Sequence, residues 1–322
     1  MQEIQKNNHL NNFDYQEIDL RELFSVLWQE KRIVIYITTP LLILGLIYSL
    51  ILPNLYKSSA ILSPTDSTSS ISKSLQNYAG LAGFAGMSLP SVSQDNNAVK
   101  AIKKLNSLSF FEDKILPNIF LPDLMAFDSW NHQTNTINYD ESVYNDLTNS
   151  WVRDYSYPQK KIPSAQESFE IFITKHLTIS EDKKTGFITL SVKHQSPFVA
   201  KKWIELMINE INTFYRQKDK LDSEQVVSYL TKQIVITNLS EVKQAITKII
   251  QDETRKLALI EAKEYYVFDY IDPPAIMEKK YEPQRVLICF LSAILGSILS
   301  IIYILTKYYI SRESSSLATN SN

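Results

Sequence analysis

His9, His132, His176 and His194 are the only imidazoles in the sequence, and Cys289 is its only thiol. The histidines are scattered and none falls in an HExxH-type spacing, so neither a catalytic nor a structural zinc site is expected. A strained nucleophile turn of the G-x-S-x-G type is absent. The segment GLAGFAG, with Gly80, Gly83 and Gly86, has the small residues of a phosphate-binding loop. It lacks the closing Gly-Lys-Ser/Thr that would hold phosphates and magnesium. It reads as a loop or a close packing contact. Acidic residues are plentiful enough to supply a carboxylate pair for glycoside cleavage, but their spacing singles none out. Trp130, Trp151 and Trp203 offer flat faces to sugars, and read first as packing anchors. No catalytic residue, cofactor or metal is expected, and the chain is read as no enzyme.

Hydropathy points elsewhere. Residues 33–52 (IVIYITTPLLILGLIYSLIL) and 286–305 (VLICFLSAILGSILSIIYIL) carry no charge. Each holds about 20 residues, enough to cross a bilayer as a helix. The first run is too long for a signal-peptide core and no small-x-small cleavage site follows it, so it reads as a retained anchor. Two crossings divide the chain into a tail (1–32), a span (33–52), a body (53–285), a span (286–305) and a second tail (306–322). Lys31 and Arg32 abut the first span on its N-terminal side, whereas only Lys57 lies close on the other, which predicts both tails in the cytoplasm and the body outside. The net charge of −2 is spread along the chain, so no nucleic-acid partner is expected. With its single cysteine inside a span, the body is expected to hold together by packing alone. In the second span, Ser292, Gly296 and Ser300 recur every four residues on one helix face, the pattern that lets membrane helices approach closely. Their partner could be the first span, a neighbouring subunit or another membrane protein.

The body mixes strand and helix signals. An amphipathic helix is expected over residues 18–27, before the membrane. Residues 56–62 alternate as a strand does, and 97–108 read as a helix. Residues 116–163, rich in proline, read as short helices joined by loops. Residues 177–180 and 187–194 read as a hairpin, with Gly186 suited to a left-handed turn position. Ser196 followed by Pro197 marks a helix start. From residue 198 to 272 there is neither glycine nor proline, and long helices are expected over about 197–263. Residues 217–222 are the first candidate for an interruption and the β-branched run 234–237 (IVIT) the second. An uninterrupted helix over 221–263 would be about 60 Å long and would need partners along its apolar stripe. A strand is expected over 265–271. Pro273, Pro274 and Pro283 then make a stiff, extended approach to the second span.

These pieces together resemble the Wzz-type chain-length determinant family of bacterial polysaccharide co-polymerases. The resemblance is carried by IDLRELFSVLWQEKRIV, LYKSSAILSP, GLAGFAGMSLPS, SPFVAKKWIELMINEIN and EYYVFDYIDPPAIMEKKYEPQRV, and covers nearly the full length. It implies an α+β membrane protein: two transmembrane helices flanking a periplasmic α/β base domain with a long helical protrusion. It also implies the inner membrane of a Gram-negative bacterium, a homo-oligomer, and control of O-antigen or related glycan length. The partners implied are a Wzy-type polymerase and the growing lipid-linked polysaccharide. An export adaptor for capsule or exopolysaccharide, working with a separate tyrosine kinase, is one alternative. A membrane-anchored periplasmic enzyme acting on glycans is another, and would make one acidic side chain indispensable.

Overall fold

The computed structural model describes residues 27–65 and 97–319. The glycine-rich segment with Gly80, Gly83 and Gly86 lies outside them, as do residues 18–26 of the expected amphipathic helix. The chain forms two compact units. One comprises Met1–Leu52 with Pro283–Asn322; the other is Pro53–Glu282.

The first unit is a pair of apolar helices, α1 (Lys31–Ile51) and, at the other end of the chain, Arg285–Thr319. Both are long and apolar enough to cross a membrane. They lie antiparallel: Glu30 pairs with Lys307 at 2.9 Å, Thr38 faces Gly296, and Gly45 faces Ser292.

The second unit begins with β1 (Tyr56–Pro64). Then come α2 (Asn97–Leu105) and the single turn α3 (Leu108–Phe110), capped by Ser107 and widening into a π turn over Phe111–Ile115. After α4 (Leu121–Met125) come β2 (Phe127–Asn131) with β3 (Thr136–Tyr139), and β4 (Tyr144–Asn145) with β5 (Ser150–Trp151). These two small hairpins replace part of the expected loop region. Their turns are made by Asn135 and Asn149, both with positive φ, where asparagine substitutes for glycine. The main body follows as α5 (Ala165–Ile171), β6 (Leu177–Glu181), β7 (Ile188–His194), α6 (Pro197–Ile236), α7 (Ser240–Ala262) and β8 (Phe268–Asp272). The long apolar helix Arg285–Thr319 is α8.

Four strands form an antiparallel sheet in the order β6-β7-β1-β8. In β1 the alternation puts Ser58, Ala60 and Leu62 on the buried face. Across them lies α6, whose residues Ala200, Trp203, Ile204, Met207, Ile208, Ile211 and Tyr215 recur every three or four positions and are buried. The β6–β7 turn has Gly186 at φ +72°, and Asp182 accepts bonds from Lys184 N and Thr185 Oγ1. Ser196 caps α6 and Pro197 occupies its first turn, as its sequence predicts.

Only the first half of α6 is core. The helix has 40 residues, about 60 Å, yet past Tyr215 Ser223 is its one buried residue. The long helical region is not continuous. Residues 217–222, the first candidate for a break, remain helical because they are good helix formers and Lys220 is held by Glu261 at 2.5 Å. The turn comes at residues 237–239, directly after the β-branched run, where stiff side chains favour extended backbone. From there α7 doubles back along α6. Arg216 Nη2 donates to Lys263 O at 2.6 Å, and Tyr266 OH donates to Asp219 Oδ2 at 2.6 Å.

Two buried polar side chains join the layers. Asn212 accepts from Val267 N (2.7 Å) and Phe268 N (3.0 Å) and donates to Phe268 O (3.0 Å), tying β8 to α6. His194 accepts from Ser196 N through Nδ1 at 2.9 Å and donates from Nε2 to Asp123 O at 3.0 Å. His176 stacks on it at 5.6 Å and donates to Lys193 O at 2.7 Å. Trp203 closes the cluster, 5.1 Å from the His194 ring and 5.4 Å from that of His176. Burial pushes the His194 pKa down to about 3 and lowers that of His176.

Both imidazoles are therefore neutral when folded and take up protons on unfolding below about pH 6.5. Stability is full above that pH and falls as the pH drops toward 3. Between pH 7 and pH 5 the loss at His194 is about 2 kcal/mol. The body's melting temperature, followed by tryptophan fluorescence, is expected to fall over this range and to fall less in His194→Asn. Equal falls in both proteins would contradict the assignment.

Candidate functional site

The helix pair brings small residues face to face. A Cβ at Gly296 would lie 2.9 Å from Thr38 Cα, and one at Gly45 would lie 2.1 Å from Ser292 Oγ. The helices are thus as close as bare glycine allows. Ser300 is fully buried, as is Ser49 on α1. Of the partners open to Ser292, Gly296 and Ser300, the structure places the chain's own first apolar helix against the first two. The two serines bond within their own helix: Ser292 Oγ donates to Ile288 O and Ser300 Oγ to Ser297 O. Thr38 and Gly45, seven residues apart on α1, form the opposing surface. The spacing of Thr38, Gly45 and Ser49 puts all three on one helix face, a signal present in the sequence itself.

The proline-rich segment lies along β1. Past β8, Pro273 is exposed, Pro274 buried and Pro283 half-buried. Proline has no N–H for a strand ladder, and here a side chain takes over: Ser58 Oγ donates to Ala275 O at 2.8 Å. Pairing resumes at Leu55, whose N donates to Glu282 O at 2.9 Å and whose O accepts from Tyr281 N at 2.7 Å. The strand that opens the body and the segment that closes it are therefore bonded side by side. Lys193 on β7 joins them, with an ion pair to Glu282 at 2.6 Å. The Nζ atoms of Lys57 and Lys193 lie 4.9 and 5.2 Å from the centre of the Tyr281 ring.

The outer half of the α6–α7 hairpin displays apolar side chains to solvent. Val235 is 77% and Ile236 68% exposed, and Leu221, Tyr229, Leu239 and Ile249 are also exposed. A two-helix hairpin has one internal seam, so side chains outside that seam stay wet unless another body covers them.

His176 and His194 meet, and both ring nitrogens of His194 and Nδ1 of His176 bond to the backbone. Among the described residues no three or more His, Cys, Asp or Glu side chains are grouped as a metal would need. Trp203 is core, and Trp130 packs edge-on against Tyr56 at 5.5 Å.

Residues 16–113 match the family described as Wzz, chain length determinant protein. The match takes in α1 and β1 and ends in the π turn after α3. No curated protein matches the chain. Among solved structures it is similar to a full-length bacterial polysaccharide co-polymerase, with 14% identity, 91% of this chain and 99% of that chain covered, and a TM-score of 0.41. It is also similar to a fragment of WzzB, a polysaccharide co-polymerase from Salmonella Typhimurium, with 14% identity, 71% and 100% covered, and a TM-score of 0.33. A third is a mutant of the Shigella flexneri lipopolysaccharide O-antigen chain-length regulator, with 12% identity, 70% and 99% covered, and a TM-score of 0.23.

Gly296→Leu is expected to force the apolar helices apart at Thr38, at a cost of about 1–3 kcal/mol for overpacking. The variant should melt lower in detergent than the parent, with Gly296→Ala between them. An unchanged melting temperature in the leucine variant would contradict the close contact.

Proposed function

We propose that this chain is a non-enzymatic regulator of polysaccharide length, embedded in the bacterial inner membrane by two passes with its body in the periplasm. It acts as a homo-oligomer beside a Wzy-type polymerase, on O-antigen or a related glycan as it grows on its lipid carrier. The observation that carries this reading is the Wzz match over residues 16–113, which supports chain-length control. Two physical features agree with it. The apolar helices precede and follow the body in the sequence and are paired, which suits a protein held twice in one membrane. The exposed apolar side chains of the α6–α7 hairpin suit lateral contact with further copies, which would take them out of water. Ser292, Gly296 and Ser300 set the spacing of the spans in this reading. Pro273, Pro274 and Pro283 stiffen the segment that returns the chain to the membrane.

A length regulator alters the distribution of products and leaves their synthesis intact. Deleting the gene is expected to broaden or shift the ladder of surface polysaccharide on a gel while total polymer persists. Restoring the full chain should restore the original band cluster. An unchanged ladder would overturn the proposal, and complete loss of polymer would indicate an export role instead.

A further inference from the structure

Lys57 and Lys193 are directly opposed on the paired strands β1 and β7. Opposed residues of an antiparallel pair share a face with Cβ atoms about 5 Å apart, where like charges destabilise the sheet. The fold keeps this repulsion and relieves only part of it. Glu282 neutralises Lys193, whereas Lys57 lies against the face of Tyr281. Two ammonium groups therefore share one aromatic ring while one carboxylate pairs with Lys193, and the local charge is positive. Tyr281 is 44% exposed, so the cluster is open to a ligand. Lys279 and Lys280 immediately precede Tyr281 and are exposed.

Chain length limits where this cluster can be. Lys57 follows the end of the first apolar run by five residues, which span at most about 18 Å. Tyr281 precedes α8 by four residues, or at most about 14 Å. Both tethers are short enough to let the cluster meet the headgroup layer, which is about 5–8 Å deep on each side of the hydrocarbon.

We infer that Lys57, Lys193 and Tyr281 form a binding site for the phosphate of an anionic lipid headgroup, with the lysines contacting the phosphate oxygens and the tyrosine ring at the headgroup level. The inference rests on the two-span reading above. A bound phosphate would offset the repulsion between the opposed lysines, so binding also strengthens the β1–β7 pair.

The test uses the full chain, delipidated in neutral detergent. Dihexanoyl phosphatidylglycerol, dihexanoyl phosphatidylcholine and inorganic phosphate are added separately, and melting temperature and bound lipid by native mass spectrometry are recorded. Phosphatidylglycerol is expected to bind and raise the melting temperature, and phosphatidylcholine to do neither. Lys57→Gln should weaken binding by about fivefold. Lys57→Arg should retain it. Without lipid, Lys57→Gln should melt no lower than the parent, because the substitution removes a repulsion. Equal binding of the two lipids, or equal binding by parent and Lys57→Gln, would overturn the site. Inorganic phosphate binding as tightly as phosphatidylglycerol would overturn the lipid assignment. Carbonate extraction of native membranes is scored separately: release of the chain would overturn the spans and the lipid assignment with them, whereas retention of the chain with equal binding of the two lipids would overturn the site alone.

Discussion

The body depends on β1 being bonded on both edges, by β7 on one side and by the returning segment β8 to Glu282 on the other. β1 is the first strand of the body and Glu282 is its last residue. A chain of 230 residues thus closes on its own starting strand. The closure uses whatever donors are at hand: ladder bonds near Leu62, the Ser58 hydroxyl where prolines interrupt, and backbone pairing again at Leu55. It brings the two ends of the body together.

Helix α6 serves two ends. Its first five turns are the lid of the sheet, fixed by the Trp203 cluster and by the three bonds of Asn212. Its remainder leaves the core and is stabilised by α7 along one seam. Removing Asn212's amide would leave buried backbone groups at residues 267–268 unpaired, which costs more than the bonds are worth when made. Rigidity at the base and apolar exposure farther out are consequences of a single uninterrupted helix.

The elements with strong local signals were legible in the sequence. Uncharged runs marked the apolar helices, Ser196-Pro197 marked the start of α6, and Gly186 marked the β6–β7 turn. The two small hairpins were not legible, because their strands are two to five residues long and their turns use asparagine in place of glycine. The place of the helical turn was ranked second, since β-branched residues weaken a helix only slightly and packing decides the outcome. On the helix pair, the repeat of Ser292, Gly296 and Ser300 was visible. Its complement on α1 became evident only once Thr38 and Gly45 stood opposite it. The opposition of Lys57 and Lys193 depends on strand register, which neither segment specifies alone.

The central claim is that one chain supplies both spans and pairs them with each other. Disulfide formation between Thr38→Cys and Gly296→Cys, in a Cys289→Ser background in native membranes, tests it directly. The closest atoms at these positions fall within reach of a disulfide. The account predicts a cross-link inside single chains, leaving the mass on a denaturing gel that of one copy. Cross-linked dimers in place of the internal cross-link would contradict it.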